Sequence, residues 1–158
     1  MTFQIHALDY APFAALFDLS DAALAERGAR RVRADADPGY PCRVSLRDAA
    51  VGEELILTNY RHLDVASPYA ATHAIFVRKG AIRATPRPGA LPQVLTRRVL
   101  SLRAFDMAGF MAEADITDGA GLRHRLEAML AGPGVAFVDI HNAKQGCFAA
   151  RATRAAVG

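Results

Sequence analysis

The sequence predicts an α+β fold, a single domain over residues 1–158 built on a mostly antiparallel sheet with two or three short helices. Three observations carry that prediction. Short alternating apolar runs outnumber helical periods along the chain. The links between them are mostly of hairpin length and carry Gly, Pro, Asp or Asn. Helical periods are few and short, the clearest of them over Gly121–Ala131. With 158 residues and 52% apolar composition, the chain is long enough to bury one sizeable core.

The elements follow in order. Phe3–Leu8 alternates as a first strand. Ser20–Gly28 reads as a short helix: Ser20 caps it, Leu19 staples onto Leu24, and Gly28 supplies a left-handed stop. Ala29–Ala34 is a strand, followed by a turn through Asp37-Pro-Gly-Tyr-Pro41. Cys42–Leu46 and Glu54–Tyr60 are expected to pair as an antiparallel hairpin, with Val44 and Leu46 on one face. Arg61–His73 reads as a polar loop and Ala74–Arg78 as a strand. Pro86, Pro88, Gly89 and Pro92 mark an irregular crossing. Arg98–Phe105 and Met111–Thr117 are further strands. Gly121–Ala131 is the clearest helix, with Leu122, Leu126, Met129 and Leu130 on one face and Gly132-Pro133 ending it. Val135–His141 and Cys147–Thr153 form a closing hairpin.

Composition narrows the function classes. No apolar run approaches the roughly 20 residues of a membrane span, and the N-terminus lacks a secretory pattern. A cytoplasmic protein without membrane attachment is expected. The net charge of +3 is almost all arginine, with lysine only at Lys79 and Lys144. The basic residues are scattered and no stacking aromatics accompany them, so no nucleic-acid partner is expected. Metalloprotease, phosphate-loop, dinucleotide and hydrolase-elbow motifs are absent, and no cofactor is indicated.

Chemistry concentrates in two short signatures, each holding one of the two cysteines: Pro38-Gly-Tyr-Pro-Cys-Arg43 and His141-Asn-Ala-Lys-Gln-Gly-Cys147. Cys42, His141 and Cys147 are the catalytic candidates, because a thiolate nucleophile needs a basic partner. A three-residue loop Lys144-Gln145-Gly146 would put His141 and Cys147 on the same face; a two- or four-residue loop would turn them apart. Gly146 beside Cys147 favours the three-residue loop. The alternative reading makes Cys42 and Cys147 small core residues.

Arg43 has the planar fork that recognises carboxylate or phosphate. Asn59, Tyr60, His62 and Tyr69 gather polar groups at a strand exit, where loops on a rigid sheet carry binding residues. With Asn142 they complete the candidate ligand-binding set. His62, His73, His141, Cys42 and Cys147 have zinc-ligand chemistry, but their spacing matches no familiar zinc module, and no metal site is expected. Asp139 shares strand parity with His141 and is placed to orient an imidazole or to face outward.

Tyr40-Pro-Cys-Arg-Val-Ser-Leu46, Gly52-Glu53 leading to Asn59-Tyr60 and His62, Ser67-Pro-Tyr69, Ile75-Phe-Val77, and His141-Asn142 with Gly146-Cys147 together resemble a bacterial family, domain of unknown function 1203. The resemblance covers nearly the whole chain and implies no known activity, substrate or cofactor. At His73-Ala74 the family pattern has smaller residues such as Gly-Pro, so the resemblance implies no site role for His73. Three functions stay open: a small polar or anionic ligand bound between the two signatures, a thiol-dependent enzyme using Cys42 or Cys147 with His141, or a protein-interaction module. A small molecule and a second copy of the chain are the partners left open.

Overall fold

A computed structural model describes residues 1–156. Among the described residues, eight strands form two antiparallel sheets, joined by four short α-helices and one 3-10 turn over Ala15–Asp18. The α+β expectation holds, with one helix more than the sequence suggests. Its elements are β1 (Phe3–His6), α1 (Ala11–Ala14), α2 (Asp21–Glu26), β2 (Arg30–Arg33), β3 (Glu54–Leu63), β4 (Ala71–Arg78), α3 (Gln93–Thr96), β5 (Leu100–Phe105), β6 (Met111–Thr117), α4 (Leu122–Ala131), β7 (Phe137–Asn142) and β8 (Phe148–Arg154). None of the described helices is long and apolar enough to cross a membrane.

The larger sheet runs β1-β8-β7-β5-β6. One of its faces is dry: Phe3, Ile5, Leu100, Leu102, Val138 and Ile140 bury against Leu122, Leu126, Met129 and Leu130 of α4. This is the helix face that the sequence period marks. Strand alternation sends the intervening residues to the opposite face, where Asp139 and His141 of β7 are fully buried.

The smaller sheet runs β2-β3-β4. Its inner residues Ile56, Ile75 and Val77 form a second core with Phe13, Phe17 and Leu24. Ser20 caps α2 through a bond from the Ala23 amide, and Gly28 takes a positive φ of 67°, as the sequence indicates.

Two expectations are corrected. Cys42–Leu46 is not a strand and does not pair with Glu54–Tyr60. β3 instead lies between β2 and β4, while Pro41 and Cys42 make only isolated bridges to Asp48 and Phe76. The chain then turns, with the Leu46 amide on the Cys42 carbonyl and Leu46 at φ 50°. The alternating apolar residues are real but serve a different end. Val44 enters the core of the smaller sheet and Leu46 that of the larger one. The segment is a plug between two cores, and burial of its apolar residues does not require a ladder.

The polar loop Arg61–His73 is also mostly strand. β3 extends to Leu63 and β4 begins at Ala71, with a bulge between Tyr60 and Leu63. His73 therefore pairs with Tyr60, while His62 sits within the bulge; His62 is buried and His73 half-buried.

Candidate functional site

The two signatures meet at Arg43. The residue is 2% exposed, and its guanidinium donates to the Phe148 carbonyl at 2.8 Å, to the Pro41 carbonyl, and to the Cys147 sulfur at 3.1 Å. Burial pulls this guanidinium below its ordinary pKa, and the neighbouring Cys147 sulfur works in the opposite direction. No carboxylate among the described residues pairs with it. A cavity of about 140 Å³ opens beside it, lined by Arg43, Phe76, Arg98, Asn142, Gln145 and Cys147. Arg98 is already held by Asp48, whereas the buried Oδ1 of Asn142 has no partner.

The turn after β7 differs from the three-residue loop expected above. The Asn142 amide bonds the Cys147 carbonyl, and His141 pairs with Phe148, so four residues, 143–146, close the hairpin. Gly146 does take a left-handed φ of 79°, but it also donates to the Asn142 carbonyl, which closes the turn one residue earlier in β7. Cys147 thus lies beside Asn142, whose Nδ2 is 3.5 Å from the sulfur, and His141 points away. The His141–Cys147 pair does not form.

His141 joins a different group. His62, His73 and His141 place their ring centroids 4.8, 5.0 and 5.0 Å apart, a nearly equilateral triangle between the sheets. The ring of Phe148 stacks on His62 at 4.9 Å. Asp139 accepts from His62 Nδ1 at 3.2 Å and from Arg151 Nε and Nη2 at 2.7 and 3.0 Å. Burial alone would raise the Asp139 carboxyl, but the bonds from His62 and Arg151 outweigh it and hold the group below its ordinary value. Asp139 thus orients an imidazole, that of His62 rather than its strand neighbour His141. His141 Nδ1 donates to the Gly146 carbonyl at 3.0 Å, and burial, with Arg103 and His62 nearby, pushes the ring down to about 3. His73 is lowered as well, first by burial and then by His62.

The other sequence candidates disperse. Cys42 is 1% exposed and its sulfur accepts from the Arg78 and Ser45 amides, a structural thiol within the turn. Tyr60 packs on Phe13 and Phe148. Asn59 is exposed on the outer face and bonds Thr72. Tyr69 belongs to a surface aromatic group with Phe105 and Phe110. The sequence reading missed Arg151, Arg98 and Gln145, and named His73 only for its zinc-ligand chemistry. Of these only Arg151 left a signal: it is the charge opposite Asp139 in the closing hairpin.

A family model described as "Protein of unknown function (DUF1203)" matches residues 39–154. No curated protein and no solved structure matches significantly. The matched span includes all three histidines, Arg43 and both cysteines.

Proposed function

The chain belongs to that family of unknown function, and on this footing we propose that it binds a small polar or anionic molecule in the cavity beside Arg43. The supporting observation is the guanidinium itself. A buried charge is normally paired, yet the partners of Arg43 are two carbonyls and a sulfur. An oxyanion in the cavity would complete them. The Oδ1 of Asn142 has no partner and no accessible surface, so a small rotation of this lining side chain would present it to an N–H or O–H donor on the same molecule. The volume is well under the roughly 300–1,000 Å³ of drug-sized sites, so the occupant is small. Thiol catalysis has less support, because no imidazole serves Cys147.

Thermal unfolding in phosphate, sulfate and chloride at matched ionic strength tests this. Monohydrogen phosphate offers both an oxyanion and an O–H donor; sulfate at neutral pH offers only the oxyanion. At a hundredfold excess over Kd, binding adds about 2.7 kcal/mol, several degrees of Tm at this chain length. Both salts stabilise folded proteins in general, so the decisive signal is a phosphate-over-sulfate difference that Asn142→Ala removes. Identical Tm in phosphate and sulfate for the unmodified chain and for Asn142→Ala would refute the reading.

A further inference from the structure

We propose that His62, His73 and His141 form a binding site for one divalent transition-metal ion of the zinc or cobalt type, independent of the Arg43 cavity. The three residues come from β3, β4 and β7, and their nearest available ligand nitrogens all lie within 4.8 Å of one another.

The hydrogen bonds around the triangle support a metal more than a packed core. His62 gives its Nδ1–H to Asp139, which leaves the Nε2 lone pair directed at the other rings. His141 gives its Nδ1–H to the Gly146 carbonyl, which likewise leaves Nε2 bare. Metal-bound histidines show this pattern: the far nitrogen is tied to a carboxylate or carbonyl, fixing tautomer and ring orientation. Asp139 is itself fixed by Arg151, so the support extends one residue further out.

The decisive atom is His141 Nε2. It is buried in a residue with no exposed surface and has no hydrogen-bond partner. Leaving such an atom unsatisfied is costly, and a cation accepts its lone pair directly. His73 Nδ1 lies 2.8 Å from His62 Nε2; for both to ligate, the proton between them moves to His73 Nε2, and their mutual bond is exchanged for bonds to the ion. Tetrahedral zinc holds imidazole nitrogens at about 2.0–2.1 Å, hence about 3.3 Å from each other. To reach that, the 2.8 Å pair opens and the wider separations, up to 4.8 Å, close.

Imidazole ligands without thiolate suit zinc, cobalt, copper or nickel rather than calcium or magnesium. Three protein ligands leave a fourth position for water or an exogenous ligand. His73 is the half-buried member of the three.

The test is titration of the full chain, stripped with a chelator, with Co²⁺ and then Zn²⁺ in competition. One equivalent of Co²⁺ should produce visible ligand-field bands without a thiolate charge-transfer band, and Zn²⁺ should displace it. His73→Ala, at the half-buried corner where folding is least at risk, should lose most of the affinity, and His141→Ala should abolish binding. Asp139→Asn should weaken it about 10- to 100-fold, whereas His124→Ala, at an exposed position on α4, should retain one equivalent. No stoichiometric Co²⁺ binding by the unmodified chain, or binding unchanged in folded His73→Ala, would overturn the proposal.

Discussion

Asp139→Ala is expected to lower folding stability by about 3 kcal/mol, the low end of the cost of removing one partner from a buried pair. The carboxylate has no exposed surface and accepts from both Arg151 and His62. Its loss strands an imidazole N–H and leaves the Arg151 guanidinium only its bond to the His62 carbonyl. The cost stays at the low end because the Arg151 side chain keeps 32% exposure and rests over the Phe137 ring, so its charge can relax toward water. At this chain length the change corresponds to a Tm drop of about 6–12 °C. Asp139→Asn retains the shape and an acceptor and should lose about half as much, near the value of one charged hydrogen bond. Urea unfolding followed by circular dichroism reads both variants. An Asp139→Ala midpoint equal to that of the unmodified chain would mean that the polar layer contributes nothing to stability.

The second large effect is at Arg43. Arg43→Met keeps the aliphatic stem but removes three hydrogen bonds that tie the turn at Pro41 to the start of β8. Two buried carbonyls then lack donors, at about 1–3 kcal/mol each. Relief from burying a charge offsets part of this, leaving a net loss of about 2–3 kcal/mol. Arg43→Lys should be nearly as damaging, since an ammonium cannot span Pro41, Phe148 and Cys147 as a planar fork does. Denaturation midpoints for the two variants check the argument. If lysine restored full stability, charge alone would suffice and the fork geometry would be irrelevant.

The helix over Leu122–Ala131, the closing hairpin and most strands were legible because each rests on local periodicity or turn chemistry. Local alternation also misled at Val44 and Leu46, whose burial comes from two different cores rather than one strand face. The candidate site was half legible. Arg43, Asn142 and Cys147 stand out in short signatures, and the structure brings them together. The histidine triangle could not be read from spacing. His62 and His73 reach it through strand pairing and a bulge, and His141 reaches it from the other sheet. The direction in which His141 points depends on whether the turn holds three residues or four, which Gly146 alone does not decide.

The central claim, a ligand cavity where the two signatures meet, is tested most directly by alkylation of the folded chain with iodoacetamide, each thiol followed by mass spectrometry. Cys147 lines the cavity and is partly exposed, whereas Cys42 is buried and serves as an internal reference. The account predicts that Cys147 reacts, that phosphate slows it in a saturable manner beyond any effect of matched chloride, and that Cys42 reacts only after denaturation. A Cys147 rate independent of phosphate up to concentrations that saturate any shift in Tm would contradict it.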